Sequence, residues 1–150
     1  MWISSGNSAS RANASLVEPY RLIGKVEHGA GRGRTLGFPT ANVGSIPILI
    51  PAHGVYAGRI TRVIMPPNRC AIPKLTHFPT AVHIGPNPTF GENATKVESH
   101  VLGFSGDLYD ATLEIELIAR VRPVKKFANK EELLQQIQSD LRTVAQATSE

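Results

Sequence analysis

Thr112-Leu113-Glu114-Ile115-Glu116-Leu117 alternates apolar and polar side chains without a break. Successive side chains of an extended strand point to opposite faces, so Leu113, Ile115 and Leu117 would face a core and Glu114 and Glu116 solvent. The alternation belongs to a longer run at Ala111–Val121, and similar short runs rich in Val, Ile and Thr lie at Arg21–Glu27, Val55–Val63, Thr80–Gly85 and Val97–Phe104. Gly- and Pro-containing turns separate them, which is the punctuation of an antiparallel β protein. Phe104-Ser105-Gly106-Asp107-Leu108 reads as a turn between two strands, and a hairpin is expected there. Pro66-Pro67-Asn68 breaks the chain, and residues 65–78 read as a surface excursion.

The chain ends in a helix. Asn129 is placed to cap it, with Glu132 as the reciprocal partner of a capping box. Leu133, Leu134, Ile137, Leu141 and Val144 then recur at helical intervals, a stripe suited to packing on the sheet. The opposite terminus differs. Residues 1–18, MWISSGNSASRANASLVE, show no sustained period and contain one basic side chain, Arg11. A flexible lead-in is expected rather than a transit or secretory signal.

With 150 residues and 41% hydrophobic content, the chain suits one small domain, taken as residues 19–150. Its one cysteine, Cys70, excludes an internal disulfide and suits a reducing, cytoplasmic compartment. No apolar stretch is long enough to span a membrane, so a soluble protein is expected. The net charge of +4 is compatible with an anionic ligand.

Residues 29–42, GAGRGRTLGFPTAN, concentrate four glycines and two arginines in one short loop. Glycine lets backbone amides approach an anion closely, and Arg32 and Arg34 add charge. Thr40 and Asn42 would face the same way if the segment is extended. Phosphates and a hard cation match that set. The spacing fits neither a Walker A loop nor a dinucleotide fingerprint, whose third glycine would fall one residue later. Composition alone leaves a Gly/Arg tether or a nonspecific RNA contact equally open.

Several motifs in order narrow the choice. Tyr20–Val26, His28-Gly29 and Gly33–Asn42 are followed by Gly54-Val55-Tyr56-Ala57, Ile84-Gly85, Asn87-Pro88-Thr89 and Val97-Glu98-Ser99-His100. Gly106-Asp107-Leu108-Tyr109, Arg122-Pro123 and the helix after Phe127 complete the series. Together, over roughly residues 19 to 146, they closely resemble the riboflavin kinase (flavokinase) family. The resemblance implies a six-stranded antiparallel Greek-key β-barrel with a C-terminal helix. It implies transfer of the ATP γ-phosphoryl group to the terminal ribityl hydroxyl of riboflavin, giving FMN and ADP.

It also assigns residues. Glu98 matches the family's catalytic glutamate and would act as general base. Pattern alone would favour a solvent-facing strand residue that shares its face with His100, and the match to the family reverses that. Thr40 and Asn42 correspond to the magnesium-associated pair, with Zn2+ or Mn2+ as substitutes. Gly29, Gly31, Gly33, Arg34 and Thr35 would line the nucleotide phosphates, while His28 before them is read as structural. Arg122, Lys125 and Phe127 would close the flavin site, although Phe127 also suits a hydrophobic staple onto the core. Two departures stand out: His53 where an acidic residue often precedes Gly-Val-Tyr, and Val124 where a Glu usually follows Arg-Pro.

The expected partners are therefore ATP and riboflavin, with no nucleic acid, no membrane and a monomeric chain. Two other readings remain. One is a bifunctional flavokinase/FAD synthetase: residues 1–18 cannot hold its adenylyltransferase domain, but Ile3-Ser4-Ser5 faintly resembles the end of that domain, which leaves an excised module open. The other is a basic barrel that binds RNA, which would be expected to expose aromatics for base stacking; aromatics are 6% here.

Overall fold

A computed structural model describes residues 20–28, 37–44, 50–69, 77–104 and 106–149. Among these, six strands close into an antiparallel barrel in the order β1-β2-β5-β4-β3-β6. They are β1 (Arg21–Glu27), β2 (Ala41–Gly44), β3 (Gly54–Ile64), β4 (Pro79–Asn87), β5 (Glu92–Val101) and β6 (Thr112–Arg122). Among the described residues one α-helix, α1 (Lys130–Ala147), follows them. Strands β3, β4 and β5 are consecutive neighbours and β6 returns to lie beside β3, which is the Greek-key arrangement.

The alternation in β6 sets the core. Leu113, Ile115 and Leu117 are fully buried and meet Leu22, Tyr56, Ile60, Val82 and Ile84 inside the barrel. Each such side chain contributes about 1.5–3 kcal/mol over leaving it in water. Polar groups inside are paired. Tyr56 donates its hydroxyl to the carbonyl of Ala52 at 2.6 Å. Ser99 and Thr80 join hydroxyls across β5 and β4, and Thr80 donates onward to the carbonyl of His100 at 3.0 Å.

Two expectations are corrected. The turn near residue 106 does not close a hairpin, because β5 is flanked by β2 and β4, and β6 by β1 and β3. A local turn signal reports a reversal of the chain, not which edge is still open. The connection caps one end of the barrel instead: Leu108 is buried, and Asp110 and the carbonyl of Ala111 bond to Val26 of β1. Strand β5 also starts and ends earlier than its apolar run. It begins at Glu92 after a 3-10 turn at Pro88–Phe90 closed by Gly91 (φ 72°), and it ends at Val101 before Gly103 (φ 75°).

Helix α1 is capped as expected on one side, where Asn129 accepts from the Glu132 N–H at 2.9 Å. The return bond is displaced by one residue: the Glu132 carboxylate accepts from the Ala128 N–H at 3.0 Å, not from Asn129. Of the excursion, residues 65–69 and 77–78 are described, and Arg69 ties it down by donating to the carbonyls of Asp107 and Tyr109 at 2.9 and 3.3 Å. Cys70 and residues 1–18 lie outside the described residues. Among the described residues no helix is long and apolar enough to cross a membrane.

Candidate active site

Strand alternation leaves the outer wall of the barrel with its own set of side chains. On β5, Val97, Ser99 and Val101 point inward, so Glu98 and His100 point outward. In the register Glu98 stands beside Asn42 on β2 and His83 on β4. Helix α1 packs on β3, β4 and β6, and between it and this wall lies a cleft with a cavity volume of about 150 Å³. Thr40, His83, Asn87, Glu98 and Asp140 are among its polar lining, and Phe90, Phe127, Leu133, Ile137 and Leu141 among its apolar lining.

Glu98 is a largely buried carboxylate of the cleft, set among neighbouring polar side chains. Its side chain is 18% exposed. Asn87 Nδ2 donates to Oε1 at 2.9 Å, and Thr40 donates its hydroxyl to Oε2 at 3.4 Å. His83 Nδ1 lies 3.8 Å from Oε1. Burial pushes the His83 imidazole below its ordinary pKa, against the opposing pull of the Glu98 charge. His100 fixes the approach of Thr40 because its Nδ1 bonds to the Pro39 carbonyl at 2.7 Å while Phe38 meets its ring edge-on at 5.9 Å.

The far wall is held by an ion pair. Arg122, at the end of β6, donates from Nε and Nη2 to the carboxylate of Asp140 on α1 at 2.8–3.0 Å. Arg122 and Lys125 also stand 5.6 Å from the centre of the Phe127 ring. Phe127 is 8% exposed, and its N–H donates to Thr89 at 3.1 Å.

The Flavokinase family, described as riboflavin kinase, matches residues 16–148. The chain belongs to this family. Among curated proteins it is 36% identical over 133 residues to the bifunctional riboflavin kinase/FMN adenylyltransferase of Bacillus subtilis, covering 86% of this chain and 39% of that protein. It is 33% identical over 129 residues to the protein of the same description from Escherichia coli, covering 86% and 38%. The chain thus spans about two fifths of the length of these relatives. Among solved structures, riboflavin kinase from Trypanosoma brucei aligns with a TM-score of 0.57 at 26% identity, over 85% of this chain and 78% of that one. A crystal structure described as a macrolide-efflux protein from Streptococcus pneumoniae gives 0.73 at 27% identity, over 91% and 42%.

Of the residues that resemblance to riboflavin kinases singled out, Glu98, Thr40, Arg122, Lys125 and Phe127 all line the one cleft. Asn42 does not line it but stands next to Glu98 in the register between β2 and β5. Gly29, Gly31, Gly33, Arg34 and Thr35 lie outside the described residues. His28, just before them, stacks on Tyr109 with ring centres 3.9 Å apart.

Other residues of the cleft escaped the sequence reading. His83 was readable by alternation, since Val82 and Ile84 on either side are both fully buried. Asp140 was readable as a charge set within the apolar stripe of α1. Asn87 and Thr89 fall in a motif that carried the family resemblance, but their contacts to Glu98 and Phe127 depend on where the 3-10 turn returns the chain. The stripe itself does more than pack, because Leu133, Ile137 and Leu141 face the cleft.

Proposed function

We propose that this chain transfers the γ-phosphoryl group of ATP to the terminal ribityl hydroxyl of riboflavin, producing FMN and ADP. The observation that carries the reading is the setting of Glu98: a carboxylate held by Asn87 and Thr40 in a cleft that also offers the apolar wall a flavin ring requires. In the reaction the ribityl O–H bond breaks as its oxygen bonds to the γ-phosphorus. The bond from that phosphorus to the β-γ bridging oxygen breaks, and ADP leaves. Glu98 takes the hydroxyl proton.

Phosphoryl transfer asks the protein chiefly for positioning and charge neutralisation. His100 serves positioning by holding the Pro39-Thr40 backbone against β5. The Arg122–Asp140 pair serves it by fixing α1 at a set distance from the barrel. The donors present suit magnesium arriving with ATP: the Thr40 hydroxyl and the Asn42 amide are neutral oxygen donors next to a carboxylate, and such an ion keeps waters and substrate phosphates in its shell. When bound, it would neutralise phosphate charge. The Gly-rich loop, Gly29, Gly31, Gly33, Arg34 and Thr35, is the proposed cradle of the phosphates. Arg122, Lys125 and Phe127 are the proposed flavin side.

FMN formation from riboflavin, ATP and Mg2+ tests the reading. Production of FMN supports it, and none from the parent chain overturns it.

A further inference from the structure

His83 lines the cleft with one ring nitrogen left without a hydrogen bond among the described residues. It stands mid-strand in β4 on the outer wall, and its register partner on β5 is Glu98. Its side chain is 25% exposed, yet Nδ1 itself is buried and makes no hydrogen bond among the described residues. Buried ring nitrogens are rarely left in that state. Glu98 Oε1, at 3.8 Å, is just beyond hydrogen-bonding reach.

The two oxygens of Glu98 are not held alike. Among the described residues Oε1 receives the 2.9 Å bond from Asn87, whereas Oε2 has only the long 3.4 Å bond from Thr40. We propose that His83 is a positioning residue for Glu98: its Nδ1–H closes onto Oε1 when substrates fill the cleft, locking that oxygen together with Asn87 and leaving Oε2 to meet the acceptor hydroxyl. This role rests on the phosphoryl-transfer reading above. The movement needed is about 1 Å, and hydrogen bonds of catalytic groups are often long before substrate binds.

The surroundings favour a neutral ring. The charged and titratable groups that act on His83 are Glu98 on β5, Arg122 on β6, His53 before β3 and Asp140 on α1. Burial lowers the pKa most; Glu98 and Asp140 raise it, and Arg122 and His53 lower it. A neutral imidazole has a single N–H, and a carboxylate only accepts. Facing Glu98, that hydrogen belongs on Nδ1. The ring then orients the base without competing for its proton.

Steady-state kinetics of the parent, His83→Ala and His83→Asn test the role, with 15N NMR of the imidazole in the parent as an independent readout. Asparagine retains an N–H donor on a short side chain; alanine does not. The expected result is a kcat about ten-fold lower in His83→Ala, with KM for riboflavin and for ATP within about two-fold of the parent. His83→Asn should recover most of the lost kcat, and the NMR spectrum should show the Nδ1-protonated neutral ring. An unchanged kcat in His83→Ala, an equal loss in His83→Asn, or an Nε2-protonated ring overturns the role. A rise in KM without loss of kcat overturns it too, because that would mark a substrate contact. FMN from the parent alongside any of these leaves the reaction standing, whereas no FMN from the parent overturns reaction and role together.

Discussion

Arg122 grips Asp140 with two nitrogens at 2.8–3.0 Å, and this pair joins the end of β6 to the middle of α1. The Arg122 and Asp140 side chains are only 18% and 6% exposed, so removing one leaves the other charge largely buried and uncompensated. Asp140→Ala should therefore lower unfolding free energy by about 3 kcal/mol in a urea titration. The double change Arg122→Met with Asp140→Leu should recover much of that loss, since replacing both partners removes the uncompensated charge. Equal losses in the single and double variants would contradict this.

The β3–β6 seam depends on close approach at Gly58. A Cβ there would lie 2.8 Å from the Glu116 carbonyl oxygen and 3.1 Å from Ile115 Cγ2. Gly58→Ala should cost about 1–3 kcal/mol, because backbone rather than a flexible side chain must yield. Gly91 differs: φ is +72° but nothing lies within 4 Å of its Cβ position. Asparagine tolerates that conformation, so Gly91→Asn should stay within about 0.5 kcal/mol of the parent. Thermal melts of the two variants side by side check both statements.

His83 makes stability depend on pH in a stated direction. Burial holds its folded pKa below the ordinary 6.5, so the unfolded chain binds a proton that the folded chain refuses. That contribution to stability is fully present above 6.5, falls as pH drops through 6.5, and levels off below the folded pKa. The Tm of the parent should fall more steeply than that of His83→Asn between about pH 7.5 and about pH 5.5. Parallel curves would show that the ring is not depressed.

Thr40 offers a hydroxyl beside Glu98, and its proposed part is on the metal side of the nucleotide. Thr40→Ala should raise the magnesium concentration for half-maximal FMN formation by about ten-fold. Riboflavin binding, followed by quenching of flavin fluorescence, should change by less than about two-fold. Superimposable magnesium titrations would remove Thr40 from that role.

These residues also show what sequence could and could not reveal. Leu113, Ile115 and Leu117 declared their strand because a period of two has one meaning in a half-buried sheet, and all three are fully buried. Asn129 declared its helix because its side chain satisfies the Glu132 N–H, a first-turn donor with no partner within the helix itself. The segment around Gly106 misled, since a turn specifies reversal while pairing is decided by which strand edges remain open across the whole barrel. Glu98 was legible through its motif. That Asn87 and His83 stand against it was not, because the proximity arises only once the register of β4 against β5 is set. The depth of the cleft was hidden for the same reason: Leu133, Ile137 and Leu141 read as packing until the Arg122–Asp140 pair fixes how α1 sits over the barrel.

The central claim is that Glu98 accepts the proton from the ribityl hydroxyl during phosphoryl transfer. Its most direct measurement is the rate of FMN formation from riboflavin, ATP and Mg2+ by the parent and by Glu98→Gln, which keeps the side-chain shape and removes the basic oxygen. The account predicts FMN from the parent and a kcat at least about 100-fold lower in the variant, with riboflavin binding retained. A Glu98→Gln chain that turns over at the parent's rate would contradict it.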